Sequence, residues 1–192
     1  PKVLAEDLIG YEARILVEPD SAPLHDDVAL LYLERGEPAR AVEHLRASVA
    51  LRPQSAAAHF NLGTGLAFGG DDGAAIEAFR TALRIRPDYA LAHNNLGALL
   101  LRRGDLAGAA AHLADAVRLS PSDADAQQNF GLALNAQGDA AGARDRFLRA
   151  QALRPEWADP PIAAAWLLAT GERRVRDAPR ALALAQQAVR LT

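Results

Sequence analysis

The stretch AAAHFNLGTGLAFGGDDGAAIEAFRTALRIRP, residues Ala56 to Pro87, decides the fold. Its apolar positions recur at three- and four-residue steps, the period of a helix with one buried face. The spacing predicts a first helix over roughly 56–69 and a second over roughly 73–86, with Gly69-Gly70-Asp71 between them. Asp71 stands where the second helix begins, and Asp is a good N-cap. Pro87 closes the second helix, because proline disfavours helical backbone at the residue before it and removes a donor.

Outward from this stretch, the same pattern returns every 34 residues. Pro occurs at 19, 53, 87, 121 and 155. Gly63, Gly97 and Gly131 keep the step, as do Gly36, Gly104 and Gly138. Ala41, Ala75, Ala109 and Ala143 form another column, and Leu45, Phe79, Leu113 and Phe147 a further one. So many independent columns in one register mark a repeat array, in which each helical pair buries its apolar stripe against its neighbours. The repeats run 22–55, 56–89, 90–123 and 124–157. Residues 1–21 read as the second helix of a preceding unit, and 158–192 as an irregular repeat with four residues inserted within 171–177. All six segments form one solenoid in this reading.

Composition agrees. Of the 192 residues, 44 are Ala and 29 are Leu, both strong helix formers. Cys is absent, which excludes disulfides, thiolate metal sites and a Cys nucleophile. A net charge of −3 argues against a nucleic-acid partner. The longest apolar run, Ile162 to Ala169, is far short of the ~20 residues of a membrane span, so no direct membrane insertion is expected. The 20 Arg against one Lys read as the mark of a GC-rich genome. Met is absent and the chain starts at Pro1, so it reads as a piece of a longer array, and its compartment stays open.

The unit resembles the tetratricopeptide repeat. In the second unit Leu62, Gly63, Leu66, Ala75, Phe79, Ala82 and Pro87 carry the resemblance; in the fourth, Phe130, Gly131, Leu134, Ala143, Phe147, Ala150 and Pro155 do. The usual aromatic early in the first helix is replaced by His or Gln, at His25, His59, His93 and Gln127. The resemblance implies an all-α solenoid that twists into a right-handed superhelix, with first helices lining a concave groove. It implies a protein-binding scaffold and is silent on the partner. The end of the chain, with Trp166 and the Arg-rich stretch after it, resembles late repeats of long bacterial repeat proteins.

Asn61, Asn95 and Asn129 occupy one column, just before the Leu/Phe-Gly pair. This column is similar to the Asn ladder in the superhelical repeat domain of O-linked N-acetylglucosamine transferase, which implies a grip on the backbone of an extended peptide. An Asn side chain carries both an acceptor and a donor, so it can pair with a peptide whatever its side chains. Asn94 and Gln128 add amides one residue earlier. The alternative is that these amides solvate the groove or bond within the stack. Family geometry adds Phe60, Thr64, Phe68, Arg102, Asn135 and Trp166 as groove candidates. The places of the family's carboxylate clamp hold Asp26, Leu30, Asn61, Leu91 and Asn95, which disfavours a clamp for C-terminal carboxylates.

No catalytic signature, phosphate loop or dinucleotide fingerprint is present, so no enzyme and no cofactor are expected. The five His residues are read as structural rather than metal-binding. Three share one column, His44 and His112 share another, and helices pack about 8–10 Å apart. Charge suggests a second role. Residues 1–21 sum to −3 and residues 158–192 to +2, which favours head-to-tail association into a ring or filament. A third possibility is the recognition arm of a larger enzyme or membrane protein.

Overall fold

The structure is a computed structural model that describes residues 2–156 and 178–191. Its helices are α1 (Lys2–Val17), α2 (Ala22–Glu34), α3 (Pro38–Leu51), α4 (Ala56–Phe68), α5 (Asp72–Ile85), α6 (Ala90–Arg102), α7 (Leu106–Leu119), α8 (Ala124–Ala136), α9 (Ala140–Leu153) and α10 (Ala178–Leu191). From α2 to α9 they form four pairs whose starts keep the 34-residue step. Among the described residues there is no strand.

Local chemistry sets the hairpin turns. Each first helix ends in a glycine with positive φ: Gly36, Gly70, Gly104 and Gly138 lie at 74–86°. Only glycine takes this left-handed conformation at no steric cost. It lets the next residue's N–H reach back five residues, as Asp71 does to Leu66 O at 2.9 Å and Asp139 to Leu134 O at 2.9 Å. The same aspartates then cap the second helices. Their carboxylates accept from Ala74 N (3.0 Å), Gly108 N (2.9 Å) and Gly142 N (2.9 Å). Glu37 holds the equivalent place before α3 and makes no side-chain cap bond; it pairs with Arg35 and Arg40 instead.

Within each pair, a small residue admits a large one. A Cβ built on Gly63 would lie 2.7 Å from the Phe79 ring, and on Gly131 2.6 Å from the Phe147 ring. On Gly97 it would lie 2.5 Å from Leu113 Cγ. The glycine column therefore exists so that the Phe/Leu column can seat on the first helix. Phe79 and Phe147 are almost wholly buried, each worth about 1.5–3 kcal/mol in apolar transfer. Ala41, Ala75, Ala109 and Ala143 are fully buried close-approach points.

The chain divides into two compact units, residues 1–92 and 93–192. In the first, Leu8 of α1 joins Val28, Ala29 and Tyr32 of α2 and Ala41 and Leu45 of α3 in one core. In the second, Ala116 and Val117 of α7 pack on Ala126 of α8, and Ala143 and Phe147 of α9 on Ala181 and Leu184 of α10. Among the described residues no helix is long and apolar enough to cross a membrane.

Candidate functional site

In the first unit, α2 and α4 border an open cleft of about 300 Å³. Leu30, Leu33, Leu45 and Phe60 give it an apolar lining, and Asp26, Asp27, Asn61 and Thr64 bring polar groups. The repeat register explains the arrangement. Places one turn apart on a first helix (Asp26 and Leu30, Phe60 and Thr64) face the same side. Phe60 is half-buried, with its ring 5.7 Å from Phe79 and 4.9 Å from Tyr89, so it both packs and lines the cleft. The Thr64 hydroxyl donates to Phe60 O at 3.0 Å, leaving its lone pairs toward incoming donors. Arg52 holds one oxygen of Asp26 and, at 2.7 Å, the Ser48 hydroxyl. The other Asp26 oxygen is buried with no hydrogen-bond partner.

In the second unit the amides gather on α6 and α8. Asn129 Nδ2 donates to Asn94 Oδ1 at 3.0 Å. Asn94 is buried, whereas Asn95, Gln128 and Asn129 are half-buried. The Gln128 side-chain oxygen is buried and has no partner. The register treats Asn95 and Asn129 as equivalent rungs, yet it is Asn94 that bonds Asn129. Phe68 is 61% exposed at the end of α4, and Arg102 and Asn135 are exposed at the ends of α6 and α8. Trp166 lies outside the described residues, as does the insertion expected within 171–177.

The histidines meet in pairs. His25 Nδ1 lies 3.0 Å from His44 Nδ1, and His93 Nδ1 3.1 Å from His112 Nδ1. Axis separation does not keep the rings apart, because side chains from the two helices of one pair reach toward each other. Both contacts span 19 residues, and Gln127 and Arg146 meet across the same interval at 3.4 Å. That shared interval was the signal in the sequence. The His/Gln column has a second job. His25 Nε2 lies 3.0 Å from Pro19 O, His59 Nε2 3.0 Å from Pro53 O, and Gln127 Nε2 donates to Pro121 O at 3.0 Å. These side chains tie α2, α4 and α8 to the proline turn before each. Among the described residues no group of three or more His, Asp or Glu is placed to hold a metal ion.

Helical pairs of one length, glycine turns in one register and a small-on-large seam define an α-solenoid of helix–turn–helix repeats. The chain belongs to the tetratricopeptide repeat family, whose model matches residues 29–90, 69–124 and 94–160. Its fold is that of a protein–protein interaction scaffold. No curated protein sequence matches it. Similar solved structures include MamA (residue 41 to the end) from Desulfovibrio magneticus RS-1, at 24% identity and TM-score 0.76 over 88% of this chain and 94% of that one. YrrB, described as a TPR protein with an unusual peptide-binding site, matches at 23% identity and TM-score 0.73 over 95% and 92% of the two chains. Pseudomonas aeruginosa pilF matches at 25% identity and TM-score 0.75 over 87% and 76%.

Proposed function

We propose that the chain is a non-enzymatic scaffold that binds an extended peptide, or an extended segment of a partner protein, on its first-helix face. The carrying observation is the cleft of the first unit, where an apolar lining lies beside the Asn61 amide. An apolar hollow takes a side chain, and an amide at its edge pairs with the peptide backbone. The second unit supplies its own amides, at the half-buried Asn95, Gln128 and Asn129. The Asn94–Asn129 bond orients one amide and uses one of its donors, leaving its oxygen for a ligand. YrrB shows that a fold of this kind can carry a peptide site.

The test is a peptide selected from a displayed random library against the whole chain. Its affinity is then compared with that for Asn61→Ala/Asn95→Ala/Asn129→Ala, after circular dichroism has shown that the variant folds. Loss of binding by about tenfold or more is expected, since each lost amide bond contributes about 0.5–1.5 kcal/mol. Unchanged affinity would remove the reading.

A second reading is head-to-tail self-association. The first helix exposes Ile9 (68%), Leu16 (86%) and Val17 (80%), and α10 exposes Leu182 (60%) and Val189 (75%). Apolar residues gathered on a helix face invite a partner. Light scattering at low salt distinguishes the two roles: mass rising with concentration supports association, and a constant monomer mass excludes it.

A further inference from the structure

We infer that the cleft of the first unit selects a peptide carrying an apolar side chain next to a Lys or Arg. The inference rests on the peptide-binding reading and adds the class of peptide. Two observations carry it.

The first is size. A cleft of about 300 Å³ stands at the small end of the roughly 300–1,000 Å³ range of ligand sites. It suits one large side chain. Leu30, 57% accessible, is the most open of the apolar side chains that line it.

The second is charge. The charged side chains lining the cleft are Asp26 and Asp27, and no Lys or Arg lines it. Arg52 neutralises Asp26 from behind. Asp27 is exposed, and among the described residues no hydrogen bond or ion pair engages it. An incoming cation therefore meets a carboxylate without displacing an internal partner. An acidic peptide meets repulsion at the same place, and juxtaposed like charges are an effective means of rejecting a wrong partner.

The test uses three synthetic nonapeptides that differ only at the centre of a Gly/Ser frame: Leu-Lys-Lys, Leu-Glu-Glu and Gly-Lys-Lys. Each is titrated into the whole 192-residue chain at low salt and followed by amide chemical shifts of α2 and α4. The Leu-Lys-Lys peptide is expected to bind about fivefold more tightly than Leu-Glu-Glu, the scale of one or two exposed ion pairs. It is also expected to bind more tightly than Gly-Lys-Lys. In Asp27→Asn the preference for Lys over Glu should fall below about twofold, with the rest of the spectrum unchanged because Asp27 is exposed. Equal binding of the Lys and Glu peptides, or a preference that survives Asp27→Asn, overturns the charge assignment. Equal binding of the Leu and Gly peptides overturns the apolar one. Both of those results leave peptide binding itself standing. If library-selected peptides of any charge also fail to shift these amides, peptide binding in the first unit falls, and the inference falls with it.

Discussion

At the scale of single residues, the glycines separate two roles that composition merges. Gly10 lies inside α1 with nothing within 4 Å of a built Cβ. Gly10→Ala should raise stability by about 0.8–1.0 kcal/mol, the ordinary helix advantage of Ala over Gly. The Gly97 Cβ would meet Leu113 Cγ at 2.5 Å and the Ala109 carbonyl oxygen at 3.2 Å. The branch point of a buried Leu cannot swing aside as a chain end does. Gly97→Ala should therefore destabilise, by about 1–3 kcal/mol of overpacking less that helix gain. Urea melts of both variants check the opposite signs.

The His25–His44 contact predicts a pH dependence. The Pro19 carbonyl can only accept, so His25 Nε2 carries a proton and the neutral ring presents Nδ1 as acceptor to His44 Nδ1–H. Burial, and then the neighbouring His25, push the His44 imidazole below the ordinary histidine value; Glu12 and Glu43 oppose them. The unfolded chain thus takes up its proton first as pH falls. The contribution is full above about pH 6.5 and is lost as pH drops below that toward the depressed folded value. His44→Gln keeps a donor and cannot titrate. Between pH 7 and 5 its melting temperature should fall less than that of the parent chain, by roughly 2 °C. Equal falls would show that this pair does not couple protonation to folding. The sequence displayed both histidine columns and their common 19-residue interval; that the rings meet across a helical pair depends on rotamers, which column spacing does not report.

At the scale of elements, the four hairpins share a turn and differ in one cap. Asp105→Ala removes the bond to Gly108 N and should cost about 1 kcal/mol. Glu37→Asp places a shorter carboxylate where the Asp column caps its helices. It should gain up to about 1 kcal/mol, less the small worth of the exposed Arg35 and Arg40 pairs. Thermal melts of the two variants, one falling and one rising, test whether the column acts as a cap. Helix identity and limits were readable because turn glycine, cap and proline punctuate each helix in fixed register. The expected helices over 56–69 and 73–86 are observed at Ala56–Phe68 and Asp72–Ile85. The site was less readable. A column says which residues are equivalent, while pairing depends on rotamers and on the step between helices. Asn94, not Asn95, therefore bonds Asn129.

At the scale of the whole molecule, the four pairs keep one buried Ala column, at Ala41, Ala75, Ala109 and Ala143, while their first helices vary, as at Leu30 and Thr64. That contrast is the physical basis for an interaction role. Core columns carry stability through burial, and in the proposed reading the varied first-helix positions recognise the partner. Recognition on the first helices is the proposal that everything above serves. The most direct measurement is an amide chemical-shift map of the whole chain with a library-selected peptide bound. The largest shifts are expected on α2, α4, α6 and α8, around Leu30, Asn61, Asn95 and Asn129. Shifts concentrated on α3, α5, α7 and α9, with the first helices undisturbed, would contradict it.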